Sequence, residues 1–424
     1  MGAKIRSVTA REIFAERGLL SLQVTVTTDD GVVGISTPES GVSTGRHEAA
    51  FVLDGGERYN GLGVRQAAEN INKTIQPALI GMDVTNQLEI DRLMCELDGT
   101  RNKARLGANA IVGVSLAAIK AAAKGAGLPL YRYIGGTNAC TLPIPIVGLC
   151  SGGRYRDPGT SRWFKPTYEF CAWGAGSYSE AMYWSWHASQ EARKLFLARY
   201  PDKFQPTYTS GLGNLFGVID DDRELLDVMT ESIQRAGYEG KMGIYFDCAA
   251  DCYYEPDIDR YVGLFRPGER TRDQQIALLK EFVETYPIVS IEDPLNENDF
   301  EGHALAVKEL GIEIVGDDLF TTNAERVQQA IGINAASSMV LKISQVGTVS
   351  EALAACRLCQ SHGYNVHPCG SRGDKDSIGD FAVGLNAGQL RAGASNRMLE
   401  IERELGQNAV WLGKAAYTGW RNRQ

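Results

Sequence analysis

The chain has 424 residues, 44% hydrophobic and 22% charged, ordinary globular usage with enough material for two domains or for one barrel carrying an extra module. Its net charge of −9 comes without any basic cluster interleaved with aromatics, which argues against nucleic acid as the main partner. No apolar run is long enough to span a membrane, and the start MGAKIRSVTAREIF lacks a secretory signal pattern, so a cytoplasmic location is expected.

From Ser21 the run SLQVTVTTDDGVVGIST alternates apolar and polar residues around Asp30-Gly31, which predicts a β-hairpin. Helical periodicity follows over Val64 to Ile80, Gln87 to Leu97 and Leu106 to Lys124. Residues 1–138 therefore read as an α+β module. The stretch from about 150 to 215 lacks clean periodicity and is rich in glycine and aromatics, among them Tyr155, Trp163, Tyr168, Trp173 and Trp186. Such a stretch is expected to be a long lid, with its aromatics either packed beneath it or presented as a stacking platform. Beyond it the short runs GIYFD, IVSIED, EIVGDD, MVLKIS, YNVHP and GQLRAG alternate with longer helical patterns. That alternation is βα repetition and assigns residues 139–424 to an α/β barrel domain. Nine cysteines without a secretory signal read as buried thiols, and the Cys356-x-x-Cys359 pair, on an amphipathic helical pattern with no second pair, reads as core.

Asp247, Glu292, Asp317 and Lys342 each close one of these apolar runs, 45, 25 and 25 residues apart. A step of 25 fits one strand, one helix and two loops, so in a parallel barrel all four fall on the rim at the carboxyl ends of the strands. Taken singly, a strand-end aspartate caps a helix and a strand-end lysine pairs with it. In series, three carboxylates repel one another unless a hard cation sits among them, and magnesium suits such a set because it leaves coordination positions for water and substrate oxygens. A lysine beside that charge is placed to take a proton from carbon, and the weak carbon acid next to a carboxylate needs metal charge to hold its enediolate.

Several ordered segments resemble the enolase family: Ala10-Arg11-Glu12-Ile13, SGVSTG at Ser40 to Gly45, LGANAIVGVSLA from Leu106, SIEDPL from Ser290, GDDLFTTN from Gly316 and LKISQVGTVSE from Leu341. The resemblance implies an amino-terminal α+β cap, a modified (β/α)8 TIM-type barrel and a homodimer or higher homo-oligomer. It also implies magnesium, two ions per active site, with Asp247, Glu292 and Asp317 holding the catalytic ion, Ser43 on a glycine loop ligating the second, and Lys342 as base.

The chain departs from that pattern on the side that supplies the acid. Where the family carries a glutamate in a GDEGG loop, Ser210-Gly211-Leu212-Gly213-Asn214 puts Leu212, which has no proton to donate. Ser151-Gly152-Gly153-Arg154-Tyr155 puts Tyr155 where a histidine falls, while Glu169 matches the other glutamate of the region. Lys342, Glu169 and Tyr155 are thus the catalytic candidates. His367-Pro368-Cys369-Gly370-Ser371-Arg372 stands at the phosphate-binding His-Arg-Ser segment, leaving His367, Ser371 and Arg372 as substrate-binding candidates. The lysine of a GQIKTG motif becomes Arg391, which exchanges a point charge for a planar fork.

The first functional expectation is a magnesium-dependent enzyme that removes the α-proton of a small phospho- or phosphono-carboxylate, a relative of 2-phosphoglycerate or phosphoenolpyruvate, and then completes a changed second step. Enolpyruvyl phosphonate formation in phosphonate natural-product biosynthesis, with a nucleotide-linked substrate, is one form of it. Phosphopyruvate hydratase and a non-catalytic binding protein derived from an enolase are the alternatives.

Overall fold

Alternating apolar residues shape the amino-terminal part first. In a computed structural model, which describes residues 2–417 apart from 16–17, 42–43, 152–165, 207–210, 214, 216, 220, 264–267 and 393–395, three antiparallel strands pair in order: β1 (Ile5–Phe14), β2 (Leu20–Thr28) and β3 (Val33–Ser36). The hairpin forms where its pattern put it. The preceding β1 lacks a clean period-two pattern, since its two buried residues, Ile5 and Val8, stand three apart across a register shift between Ile5 and Ser7, yet it pairs with β2 along nearly its whole length. Leu22, Val24 and Val26 alternate inward against Ile111, Val114 and Ala118 of α1 (Ala108–Gly125). Contact between sheet and helix is close enough that a Cβ on Gly34 would lie 2.0 Å from the Ala117 carbonyl oxygen. The pattern over Val64 to Ile80 becomes a helical run from Arg65 to Leu79 with one widened π turn at Ile71–Ile75.

The second part is an eight-stranded sheet of β4 (Ile144–Ser151), β5 (Thr167–Cys171), β6 (Gly243–Asp247), β7 (Ile288–Glu292), β8 (Glu313–Gly316), β9 (Ser338–Leu341), β10 (Asn365–Pro368) and β11 (Gln389–Arg391). All six runs read from the sequence as barrel strands are strands. The spatial order is β10-β9-β8-β7-β6-β5-β4-β11, and a bridge between Cys369 and Arg391 brings the two ends together. β5 runs antiparallel to both neighbours while the other pairings are parallel, which is the modification of the (β/α)8 plan. Helices such as α2 (Tyr178–Arg199), α3 (Asp222–Arg235) and α4 (Arg272–Thr285) cover the outside, the last two opened by capping boxes at Asp221 and Thr271. No single helix among the described residues is long and apolar enough to cross a membrane.

The stretch from 150 to 215 is not one long irregular lid. It contributes β5 and the 22-residue α2, whose periodicity is blurred because aromatic residues occupy exposed as well as buried positions. Tyr168 and Phe170 are core residues, Tyr183 and Trp186 lie exposed on α2, and Tyr155 and Trp163 fall outside the described residues. Cys356 and Cys359 pack in the core beneath β9 and β10, and burial pushes the Cys356 thiol up to about 12.

Candidate metal and proton-transfer site

Parallel strands in register deliver their last residues to one rim, and the pairing Glu292↔Asp247 sets two of the carboxylates side by side. Asp317 follows β8 and Lys342 follows β9. All four side chains are buried, with Asp247 and Glu292 at 0% exposure. Thr167 pairs with Asp247 and Glu169 with Tyr245 across the antiparallel β5, which turns a second glutamate into the same space. The site thus gathers residues from five strands and the loops that follow them.

Two chain cations stand among these acids. The Lys342 ammonium bonds Asp317 Oδ2, whose other oxygen accepts from Gln345 Nε2 at 2.8 Å. Burial works against the Lys342 charge, but Asp317 outweighs it and holds the amine above the usual lysine value. Arg391 donates from Nε to Glu169 at 3.0 Å, from Nη1 to Glu292 at 2.7 Å and from Nη2 to Asp247 at 2.6 Å. Nη2 also donates to Thr167 Oγ1 at 3.1 Å, and that hydroxyl donates to Asp247 at 3.1 Å. The Tyr245 hydroxyl donates to the far oxygen of Glu292, and its ring lies 5.5 Å from the Arg391 guanidinium carbon.

Oxygens of Glu292, Asp293 and Asp317 come within 4.8 Å of one another, a grouping able to hold a metal ion. Asp293 adjoins Glu292 and carries no sequence signal of its own: alternation along a strand would turn it away from the rim, but the chain leaves β7 there with Asp293 at φ 41°. Its carboxylate accepts from the Asp317 and Asp318 amides at 3.0 and 2.8 Å and so shapes the loop that presents Asp317. Asp247 stands outside the group of three, held by Arg391 and Thr167. The donor set suits a hard divalent ion. The carboxylates of Glu169, Asp247, Glu292, Asp293 and Asp317 outnumber the cations Lys342 and Arg391 that stand among them in a buried space. Burial and the neighbouring Asp318, Asp317 and Glu292 push the Asp293 carboxyl well above the usual carboxylate range, the expected response to surplus negative charge.

The candidates for substrate binding are dispersed. The Arg372 guanidinium makes a two-pronged ion pair with Glu48 of the cap, at 2.8 and 2.5 Å, and Gln345 reaches the same carboxylate at 3.3 Å. Glu48 and Gln345, which tie the cap loop to the barrel rim, carry no sequence signal of that link because their partners lie about 300 residues away. Ser371 accepts from the Cys369 thiol at 3.3 Å. Cys369, Arg372 and Lys342 line a small pocket together with Pro38, Leu116 and Phe381.

His367 is placed differently from its sequence expectation. Its ring is fully buried inside the barrel with Nε2 3.1 Å from Glu313 Oε1, because strand alternation turns it into the barrel interior, where Gln389 and Asn365 also bond Glu313. Leu212 is 1% exposed within the barrel's outer core, its amide donating to the Leu149 carbonyl at 2.7 Å. Ser43 and Tyr155 lie outside the described residues.

Residues 139–419 match the family model of the enolase carboxy-terminal TIM barrel domain, and residues 5–134 match the enolase amino-terminal domain. The chain is 42% identical to the enolase of Thermococcus kodakarensis, with 97% of each chain covered. It is 42% identical to that of Methanopyrus kandleri, covering 95% of this chain and 96% of the relative, and 38% identical to that of Corynebacterium kroppenstedtii, covering 98% and 99%. With both domain types matched in order and the likeness running from end to end, the chain belongs to the enolase family.

Proposed function

We propose that this enolase-family chain is a magnesium-dependent enzyme that removes the α-proton of a small phospho- or phosphono-carboxylate and then completes a second step other than the usual loss of hydroxide. The observation that carries the reading is a contrast within one site. Lys342 stands buried beside Asp317 at the carboxylate rim, while the position where the resemblance expects a proton-donating glutamate is Leu212, packed among core hydrophobics.

Glu292, Asp317, Asp247 and Asp293 are the residues that would hold the ion. Magnesium held there would supply positive charge for the developing enediolate. The chain's own part is proton transfer and orientation. In its neutral form, which burial favours and Asp317 opposes, Lys342 would accept the carbon-bound proton at Nζ while the electron pair moves into the enediolate. Gln345 and Thr322 fix that geometry: Gln345 bonds Asp317 and accepts from the Thr322 hydroxyl at 2.9 Å, and the Lys342 amide donates to that same hydroxyl oxygen at 2.9 Å. Arg372 and Ser371, beside the pocket, are suited to a phosphate or phosphonate group.

Solvent exchange tests the proposal. The protein with magnesium and 2-phosphoglycerate in deuterated water is expected to exchange the carbon-2 proton without stoichiometric phosphoenolpyruvate. Absence of exchange with this substrate and with phosphonate analogues sinks it. Exchange with a phosphonate, extended to a nucleotide-linked one, supports the finer version of enolpyruvyl phosphonate formation.

A second reading, phosphopyruvate hydratase, is favoured by the naming of relatives 42% identical over 97% of the chain as enolases. Continuous absorbance measurement of phosphoenolpyruvate formation separates the two. Turnover comparable to those relatives supports the hydratase, and exchange without that turnover supports the changed second step.

A further inference from the structure

A lysine at position 391 would present one compact charge, whereas the arginine there spans three carboxylates. Its three nitrogens reach Glu169, Glu292 and Asp247 separately, on strands β5, β7 and β6, at 2.6 to 3.0 Å. The guanidinium is 7% exposed and its acidic partners no more than that. Two of the partners, Asp247 and Glu292, are residues the proposed function assigns to the metal. A buried, planar, multiply bonded cation compensates those charges in the way a divalent ion would. The Tyr245 ring, 5.5 Å from the guanidinium carbon, and the Thr167 hydroxyl, which accepts from Nη2 at 3.1 Å, hold the assembly in place.

We infer that Arg391 is a tethered counter-ion which competes with the divalent metal for Asp247 and Glu292, so that the ion occupies this site by expelling the guanidinium. The inference rests on the metal-dependent reading above and adds that metal affinity is set by this residue. Expulsion breaks three charge-assisted hydrogen bonds in a water-poor space. The free energy of that exchange is subtracted from metal binding, and the metal-free protein is correspondingly held together. A lysine can hold one or two of the carboxylates but not three, so it resists displacement less while keeping the same charge.

The test is calorimetric titration of the full-length metal-free protein with magnesium chloride and, separately, manganese chloride, with no substrate present. Wild type, Arg391→Lys and Arg391→Gln are compared, each checked by circular dichroism, and thermal unfolding is followed with and without metal. The expected result is that Arg391→Lys binds the ion at least tenfold more tightly than wild type, unfolds at a lower temperature without metal, and gains more from adding it. Equal affinities in all three proteins overturn the role of Arg391 while leaving the metal-dependent reading intact. Tighter binding in Arg391→Gln alone also overturns it, because bulk charge rather than bridging then governs affinity. Absence of binding in all three overturns both the inference and the metal-dependent reading.

Discussion

Replacing Lys342 by methionine keeps most of the side chain's length and removes its ammonium, leaving Asp317 without its buried cation. Asp317 is 7% exposed and so is Lys342, so little water is available to take over. Removing one partner of a buried pair of this kind costs about 3–5 kcal/mol. The Gln345 bond to the other oxygen of Asp317 remains and puts the expected loss near the lower end, about 3 kcal/mol. Urea unfolding of the metal-free protein at neutral pH measures it. The Lys342 value is raised in the folded state, so the pair's contribution is fully present below the ordinary lysine value of about 10.4 and is lost as the pH rises through the higher folded value. The stability gap between wild type and Lys342→Met is therefore expected to close above roughly pH 10.4. In the exchange assay the same variant should lose about 10²- to 10⁴-fold in carbon-2 exchange, the usual share of a positioned base. A variant as stable as wild type refutes the electrostatic account of the pair, and one that retains exchange shows that another group is the base.

Three further outcomes follow from the fold. His303 is fully buried, and burial depresses its value to about 4, so the unfolded chain takes up a proton near pH 6.5 that the folded chain refuses; wild type should lose about 3 kcal/mol between pH 6.5 and 4, and His303→Gln should lose that much less in acid-unfolding titrations. Gly34→Ala drives a methyl into the Ala117 carbonyl, and denaturant unfolding should show a loss of about 1–3 kcal/mol as β3 and α1 separate to admit it. Thr271→Ala removes the hydroxyl that accepts from the Gln274 amide at the start of α4, with an expected cost of about 1 kcal/mol in thermal or urea unfolding.

The sequence by itself determined the hairpin, six of the barrel strands and the rim. Period-two alternation placed the hairpin, and six apolar runs closed by polar residues placed six barrel strands, as expected for parallel strands buried on both faces. Regular spacing then put Asp247, Glu292, Asp317 and Lys342 at equivalent strand ends. Tertiary structure decided what these residues do to one another. Arg391 lies 144 residues from Asp247 and 222 from Glu169, and only barrel closure, with the antiparallel β5 turning Glu169 inward, brings them together. The inward turn of His367 toward Glu313 and the left-handed step that aims Asp293 at the β8 loop were likewise hidden, since strand alternation and one local dihedral settle which face a side chain takes. Motifs record which residues a strand end offers, and the surrounding strands fix which charges meet there, because electrostatic pairing in a buried space depends on distances of a few ångströms that sequence separation does not encode.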